Sequence, residues 1–340
     1  MRFEDIWIAG TGGALGDPVP IERAVADGSY PAEAAASTGM ITYAAARHAP
    51  PELAVAAGRQ AIKEAANAGT VVGPDALYLH SHGYFQGIDM WPAACWIARR
   101  LLGAQLSGMP LTVSAASNGS LAGLELAAGL LTARPDLPAA LLTLADRFAP
   151  PVDRFHLSPG MVFGDGGAAA VVSRSGGPLR LVSVVSEADT DLEGLSRGDE
   201  PFGTVPHQHT DTRKRTREFL AHGELSLRDV RERSATRTRS VVERALTEAG
   251  LTIEQVDWYC PPFVGKALMA DSFLRPLPGR PRNLLTDLGL TTGHLGPADG
   301  VYALHHLITT DLLRPGATVL LIGTGMGFTF SAAVLAADGG

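Results

Sequence analysis

The sequence has little of several features that would point to particular classes of protein. It contains only two cysteines, Cys95 and Cys260, which lie in apolar stretches without a second cysteine or a histidine at metal-ligand spacing. A disulfide framework or a cysteine-based metal site is therefore not expected. The sequence has no run of eighteen apolar residues, and MRFEDIWIAGTGG carries acids and glycines where a signal peptide needs an apolar region. We therefore expect a cytoplasmic protein that does not contact a membrane.

The sequence also lacks the charge pattern of a nucleic-acid-binding protein. The net charge of -7 is spread along the chain, with no basic face or arginine-rich arm of the kind that binds nucleic acid, so no nucleic-acid partner is expected. The 340 residues, 46% hydrophobic and 19% charged, are enough to bury the core of one large domain or of two fused halves.

A weak internal duplication organises the chain. Each half presents, in the same order, an amphipathic helix, a short strand, a helix opened by small residues, and two β-rich runs. These segments are 52–69, 75–83, 114–131, 140–146 and 166–173 in the first half, and 239–250, 258–263, 291–308, 318–324 and 328–335 in the second. Continuous apolar runs that alternate with helices predict sheets covered on both faces. We therefore predict an α/β fold with halves at 1–175 and 176–340, and a polar insertion at about 190–238.

Ser117 and His294 occupy corresponding positions in the two halves. Ser117 follows the apolar run MPLTVSAA and precedes a helix, so it lies at a turn where backbone N–H groups converge. Such a turn suits a nucleophile, but serine is also a preferred helix cap. A lone histidine near glycines, as in GHLGPADG, is more often structural. Two homologous halves packed face to face would bring both residues to one crevice, and this favours a shared catalytic role.

Asp299 follows His294 by five residues, which lets its carboxylate turn back to one imidazole nitrogen. A hydrogen bond there fixes the tautomer and leaves the other ring nitrogen as a base. Taken alone, an acid in the first turn of a helix more often interacts with the helix dipole. A serine hydroxyl, however, is a poor nucleophile at neutral pH and needs such a base. The glycine-rich segment GTGMGF, at 323–328, offers a backbone N–H beside that of Ser117 for an oxyanion.

Three motifs resemble the ketosynthase III family of the thiolase superfamily, over nearly the whole chain. SAASNGS resembles the family's nucleophile motif, with Ser117 in place of the cysteine. MVFGDGGAAAVVS resembles its glycine-rich hairpin, and VLLIGTGMGFTFSAAVL resembles its closing glycine loop and strand. The resemblance implies a thiolase fold whose duplicated halves form a five-layered αβαβα sandwich. It also implies a homodimer supplied with acyl thioesters of coenzyme A or of a phosphopantetheinyl acyl carrier protein.

Two departures from the family bear on the reaction. The family's V-P-H-Q-A-N motif falls on CPPFVG, at 260–265, which puts Pro262 in place of the histidine used in decarboxylation. The family's G-N-T-S motif falls on GHLG, where His294 replaces the asparagine. A condensing enzyme uses that histidine and asparagine to stabilise an enolate, and proline has no side-chain donor. The departures argue against decarboxylative condensation.

The altered residues resemble those of family members that transfer acyl groups, namely the malonyl-transferring type of cervimycin biosynthesis and the serine-nucleophile starter-unit type of daunorubicin biosynthesis. The resemblance implies catalytic roles for Ser117, His294 and Asp299, and backbone roles in an oxyanion hole for Ser117 and Met326. We expect an acyltransferase that moves an acyl group through acyl-Ser117 to a hydroxyl, amine or carrier thiol in polyketide or antibiotic biosynthesis, with no bound cofactor. A starter-unit ketosynthase and a catalytically silent partner subunit are the alternatives.

Two further groups are candidates for binding roles. Four aromatic residues lie in a segment that the family uses near its acyl site and dimer interface, and ordinary core packing is the alternative for each. They are Tyr84, Phe85, Trp91 and Trp96.

A basic run, TRKRTR at 212–217, includes Arg213, Lys214 and Arg215. It would attract an acidic carrier protein, although a solvated helix face is an equal alternative. The pair of histidines in HSHG, at 80–83, has no third ligand at suitable spacing, so no metal site is predicted.

Overall fold

The computed structural model describes residues 1–204 and 211–338. The strands of these residues are β1 (Trp7–Leu15), β2 (Asp17–Pro20), β3 (Thr42–Ala45), β4 (Leu77–Ser81), β5 (Leu111–Val113), β6 (Ala139–Asp146), β7 (Gly166–Ser173), β8 (Leu179–Ala188), β9 (Trp258–Cys260), β10 (Asn283–Leu284), β11 (Thr318–Gly325) and β12 (Thr329–Ala337). Their α-helices are α1 (Ile21–Ala26), α2 (Ala32–Thr38), α3 (Pro50–Asn67), α4 (Ala93–Leu102), α5 (Gly119–Ala133), α6 (Gly194–Arg197), α7 (Thr212–Ala221), α8 (Leu227–Ala249), α9 (Lys266–Leu268), α10 (Asp287–Thr292) and α11 (Asp299–Thr309).

The two halves build sheets of the same design. The first sheet has the order β5-β4-β6-β7-β1 and the second the order β10-β9-β11-β12-β8. Corresponding neighbours also run in the same relative directions: the first three strands of each sheet are parallel, and the remaining pairs are antiparallel. A short antiparallel contact between β1 and β8 joins the two sheets at their edges. The internal duplication predicted from the sequence is thus present in the strand order.

The core is divided among three layers of helices. Strand β6 shows the arrangement, because Leu142 and Leu144 pack against the central helices α5 and α11, whereas Leu141 and Ala145 face α3 and α4. Strand β11 does the same in the second half, with alternate residues facing α11 or α8. The layers are therefore helix, sheet, helix, sheet and helix, which confirms the predicted αβαβα thiolase fold.

The predicted insertion at about 190–238 is more regular than its sequence suggested. Residues 205–210 lie outside the described residues, but α7 follows them, and α8 begins at Leu227, twelve residues before the predicted helix. Ser226 accepts from the backbone of Asp229, whose carboxylate accepts from the Ser226 N–H in return. Arg233 is fixed by ion pairs to Asp189 and Asp191. The part of α8 before residue 239 was missed because its sequence is largely polar. The predicted boundary near residue 175 falls in the turn between β7 and β8.

The two central helices begin side by side. The Ser120 hydroxyl donates to the Pro297 carbonyl (2.6 Å) and accepts from the Val301 N–H (3.1 Å). Gly119 has no room for a side chain, since a Cβ there would lie 2.2 Å from Ser81 Oγ and 2.6 Å from Pro297 Cβ. These contacts bring the openings of α5 and α11 together, and with them the residues just before each helix.

The described residues contain no helix that is both long and apolar enough to cross a bilayer.

Candidate active site

Ser117 lies in a tight turn between β5 and α5. The turn is a single 3₁₀ turn, Ala116–Asn118, and Ala116 has a φ of 45°, a left-handed conformation that is uncommon for a residue with a side chain. Such local strain is held in place by surrounding structure and is frequent at functional sites. The side chain of Ser117 is partly exposed. Its hydroxyl contacts His294 rather than a backbone N–H of the helix, so the geometry is not that of a cap.

Ser117, His294 and Asp299 form a continuous hydrogen-bonded chain. Ser117 Oγ lies 2.8 Å from His294 Nε2, and His294 Nδ1 lies 2.6 Å from Asp299 Oδ2. The carboxylate accepts the hydrogen on Nδ1, so Nε2 is left to accept the serine hydrogen. His294 and Asp299 are buried, with 1% and 4% of their surfaces exposed.

Asp299 is held by backbone donors on both sides. Its Oδ1 accepts from the Leu295 N–H (2.7 Å), and its Oδ2 accepts from the Phe263 N–H (2.8 Å) in addition to the imidazole. These three donors fix the orientation of the buried carboxylate. Phe263 belongs to the CPPF segment that carries Pro262, so this segment positions Asp299 in the hydrogen-bonded triad of Ser117, His294 and Asp299.

His294 is fixed by its backbone and by an aromatic neighbour. Its N–H donates to the Val162 carbonyl (2.8 Å), and its carbonyl accepts from the Gly164 N–H (2.9 Å). The Phe163 ring meets the imidazole edge-on, with the ring centroids 5.1 Å apart. Gly296 has a φ of 62°, which turns the chain so that Asp299 comes back to the imidazole.

The glycine-rich segment 323–328, hereafter the glycine loop, lies directly against the Ser117 turn. A Cβ on Gly325 would lie 2.3 Å from the Ala115 carbonyl oxygen, and a Cβ on Gly323 would lie 2.2 Å from Asn118 Oδ1. Only glycine permits this close approach. Met326, the predicted oxyanion donor, follows Gly325 in this loop, and its side chain is half-exposed beside a surface cavity of ≈ 430 Å³.

Asp146 is a second buried carboxyl beside the triad, and the sequence reasoning missed it. It ends β6, accepts from the N–H groups of Gly83 (2.7 Å) and Tyr84 (3.0 Å), and packs against Gly296. Burial raises the pKa of Asp146 to about 7, against the opposing effects of these two N–H groups and of His294. An acid at the carboxyl end of a buried parallel strand was the signal available in ALLTLAD.

The four candidate pocket aromatics lie in different places. Tyr84 stacks on Phe148 (6.4 Å between centroids), which contacts Phe163 (4.6 Å) beside His294. Trp91 and Trp96 contact each other and pack on the outer core under α3 and α4, and Phe85 is about half exposed. Aromatic contacts thus connect only Tyr84 of the four to the triad. Phe148 and Phe163, which complete that connection, were not predicted.

The basic run lies on α7, where much of its charge is already paired. Arg215 forms an ion pair with Glu200 (2.5 Å), and Lys214 forms one with Glu218 (3.4 Å). Arg215 also lines the cavity beside Met326, whereas Arg213 is partly buried. A role for Arg213, Lys214 and Arg215 in carrier docking stays a prediction.

The histidines of HSHG are engaged in hydrogen bonds. His80 is buried, with its ring nitrogens near Thr143 (3.0 Å) and Gln86 (3.2 Å), and burial lowers its pKa to about 4. His82 contacts the Tyr84 carbonyl (2.9 Å). The described part of the chain contains no cluster of three or more His, Cys, Asp or Glu residues arranged to hold a metal ion.

The duplicated sheets and the two central helices that open onto one crevice define a thiolase-fold protein. Family models agree: residues 111–190 match "3-Oxoacyl-[acyl-carrier-protein (ACP)] synthase III", and residues 246–337 match its C-terminal part. The chain belongs to the ketosynthase III family of the thiolase superfamily. Relatives in this family are described as 3-oxoacyl- or β-ketoacyl-[acyl-carrier-protein] synthases III.

Individual relatives span most of the chain. The mycobacterial β-ketoacyl-[acyl-carrier-protein] synthase III of Mycobacterium marinum is 26% identical over 88% of this chain and 85% of its own. The solved structure of ChlB3, described as an acyltransferase, has 32% identity, a TM-score of 0.88 and 98% coverage of both chains. The synthase III FabH of Pseudomonas aeruginosa, at 20% identity and a TM-score of 0.73, shares the fold, with 98% of this chain and 99% of its own covered.

Proposed function

We propose that the protein is an acyltransferase that carries its acyl group on Ser117. The observation that carries this proposal is the hydrogen-bonded chain from Ser117 Oγ through His294 to Asp299, with distances of 2.8 and 2.6 Å. A serine nucleophile requires a neighbouring base with a fixed tautomer, and this chain meets that requirement. The similarity to ChlB3, described as an acyltransferase, supports the same reaction class.

In the first step, Ser117 Oγ attacks the carbonyl carbon of an acyl thioester while His294 Nε2 takes the hydroxyl proton. The carbonyl oxygen becomes an oxyanion, for which the backbone N–H groups of Ser117 and Met326 are the proposed donors. The C–S bond then breaks, and the His294 proton passes to the departing sulfur. The products are a free thiol and an acyl ester of Ser117. Asp299 accepts the hydrogen bond from His294 Nδ1 throughout and stabilises the imidazolium.

In the second step, His294 takes a proton from the acceptor, which is a hydroxyl, an amine or a carrier thiol. The acceptor attacks the Ser117 ester, the bond from the acyl carbon to Oγ breaks, and the proton returns to Oγ. Tyr84, Phe148 and Phe163 form an aromatic surface that leads to His294, and we assign the acyl chain to this surface. No step in this cycle transfers electrons to or from a cofactor.

The wider setting of the reaction is also part of the proposal. The donor is a thioester of coenzyme A or of a phosphopantetheinyl carrier protein, and the protein works as a homodimer. The motifs shared with acyl-transferring members of the family suggest a place in polyketide or antibiotic biosynthesis, of the cervimycin malonyl-transferring or daunorubicin starter-unit type.

Condensation is less well supported than acyl transfer. The position that carries the decarboxylation histidine in the family is Pro262, which is buried and has no side-chain donor. The N–H of its neighbour Phe263 donates a hydrogen bond to Asp299. Some relatives are described as synthases. The test should therefore also look for a product with a new carbon–carbon bond.

Intact-mass measurement with a panel of acyl thioesters tests the proposal. We expect the wild type to gain the mass of one acyl group and Ser117→Ala to gain none. Product analysis with hydroxyl, amine and carrier-thiol acceptors then separates acyl transfer from condensation. Equal labelling of the wild type and Ser117→Ala, or labelling of neither, would contradict the acyl-serine mechanism.

A further inference from the structure

We propose that Asn118 is a positioning residue that holds the glycine loop against the nucleophile turn, and that Glu125 sets its orientation through Ser331 and Ser186. The inference rests on the proposed function, because it concerns the oxyanion donors of that reaction. It assigns a role to the residue that directly follows Ser117 and to a carboxylate farther along α5.

The Asn118 side chain bridges the nucleophile turn and the strand that leaves the glycine loop. It is buried, with 2% of its surface exposed. Its amide nitrogen donates to Thr329 Oγ1 (3.1 Å) and to Ser331 Oγ (2.8 Å), both near the start of β12. The glycine loop is thus held at its exit by the residue next to the nucleophile.

The carboxylate of Glu125 fixes which group donates in each hydrogen bond that links it, through Ser186 and Ser331, to Asn118. Glu125 can only accept, so the Ser186 hydroxyl donates to it (2.5 Å). Ser186 Oγ then has no hydrogen left for Ser331, which must donate to Ser186 across their 2.8 Å contact. Ser331 Oγ in turn accepts from the Asn118 amide. The chain therefore runs from Asn118 through both serines to Glu125, and it determines which end of the amide faces β12.

The opposite end of the amide faces the glycine loop. Asn118 Oδ1 is buried without a hydrogen-bond partner, and it occupies the space beside Gly323 where a Cβ would come within 2.2 Å. An unpaired buried oxygen is unfavourable, so the two bonds donated by the nitrogen must hold the side chain in this orientation. The orientation in turn sets how closely the glycine loop approaches Ser117. An oxyanion donor is effective only within a narrow distance of the oxygen, so this spacing controls the proposed Met326 N–H.

Asn118→Asp tests the direction of the chain at nearly constant shape. In this variant the residues at both ends of the chain, 118 and Glu125, carry carboxylates that only accept. The hydroxyls of Ser331 and Ser186 supply two hydrogens, which cannot satisfy the three contacts along the chain. We expect the rate of acyl-Ser117 formation, followed by intact mass in single turnovers, to fall at least about tenfold. Removing one oxyanion donor from an acyl-transfer enzyme costs about 10²–10³-fold, which sets the upper range. Asn67→Asp, an exposed substitution at the end of α3, is the matched control and should keep the wild-type rate.

Adding Glu125→Gln to Asn118→Asp provides a rescue. The glutamine nitrogen can donate to Ser186, which donates to Ser331, which donates to the new carboxylate, so the chain is complete in the reverse direction. We expect the double variant to acylate at least about threefold faster than Asn118→Asp and to unfold at a higher temperature. Both variants carry the same carboxylate at 118, so the charge added at that position does not contribute to the difference.

The inference is overturned if Asn118→Asp acylates within about twofold of wild type, or if the double variant is neither faster nor more stable than the single one. If Asn118→Asp does not fold, Thr329→Val removes one acceptor of the amide and should slow acylation severalfold, and an unchanged rate contradicts the inference. If the wild type forms no acyl-serine, the proposed function fails. The order of the unfolding temperatures still decides whether the chain exists.

Discussion

Asp299 is the residue on which the orientation of His294 depends. Its oxygens are surrounded by three donors, namely the imidazole Nδ1–H and the N–H groups of Leu295 and Phe263. In Asp299→Asn, the NH₂ group of the amide would face at least one of these donors. An NH₂ group that donates to His294 Nδ1 would stabilise the imidazole tautomer with its hydrogen on Nε2. We expect acyl-Ser117 formation to fall about 10³–10⁴-fold in single-turnover intact-mass assays, as in other triads that lose this carboxylate. Asp311→Asn, an exposed substitution beyond the far end of α11, should acylate at the wild-type rate, and an equal loss in both would contradict the role.

In the proposed mechanism, serine at position 117 needs both the base, His294, and the acid, Asp299. A thiol is partly ionised at neutral pH, whereas a hydroxyl is not, so a cysteine depends less on His294. We expect His294→Ala to slow acylation about 10⁴-fold or more in the Ser117 protein. In the Ser117→Cys background, the same change should cost less than about 100-fold. Acylation rates of the four proteins measure this difference, and equal losses in the two backgrounds would show that His294 is not the base for Ser117.

Two of the three glycines in helix α5, Gly123 and Gly129, have opposite surroundings. A Cβ on Gly129 would meet no atom within 4 Å, whereas a Cβ on Gly123 would lie 2.6 Å from Leu142 in the central core. Alanine is favoured over glycine within a helix by about 1 kcal/mol. We therefore expect Gly129→Ala to raise the free energy of unfolding by up to about that amount, and Gly123→Ala to lower it. Denaturant titration of both variants decides this, and destabilisation by Gly129→Ala would contradict the packing described for α5.

Some elements could be predicted from sequence and others could not, for identifiable reasons. The strands β6, β7 and β11 are continuous apolar runs, so their positions follow from composition. The start of α8 has a polar sequence without an apolar face, and its stability comes from the Ser226 capping contacts and from Arg233 bridging to Asp189. Such contacts join residues up to 44 positions apart and leave no periodic pattern.

The two-fold repetition of the whole molecule explains which site residues were found. Ser117 and His294 could be paired from sequence because each precedes the equivalent central helix, and Asp299 is local to His294. Phe263 acts through a backbone N–H, which every residue type except proline supplies, so the identity of its side chain carries no signal. Asn118 is interpretable only when β12 is known to pack beside it. The sequence thus predicts site residues that occupy equivalent positions in the two halves. It does not predict the contacts that form only when the two halves pack together.

Burial of two titratable groups gives the molecule opposing responses to acid. Burial raises the pKa of Asp146 to about 7, so its contribution to stability is full below the ordinary value near 3.8 and is lost as pH rises toward 7. Burial lowers the pKa of His80 to about 4, so its contribution is full above 6.5 and is lost as pH falls toward 4. Between about pH 4.5 and 6, the folded protein therefore holds an extra proton on Asp146 and lacks one on His80, and the two effects cancel.

Asp146→Asn should remove this compensation. With Asp146 gone, the free energy of unfolding should fall more steeply on acidification than in wild type, by up to about 1.4 kcal/mol per pH unit, the slope for one proton. His80→Gln should change the slope in the opposite direction, since the proton on Asp146 is then uncompensated. Urea titrations from pH 4.5 to 7 measure both slopes. His305 and His306, which also have lowered pKa values, are unchanged in both variants and drop out of the difference. Parallel curves for Asp146→Asn and wild type would mean that Asp146 is already ionised across this range in the folded protein, and its carboxylate would then be a permanent negative charge beside His294.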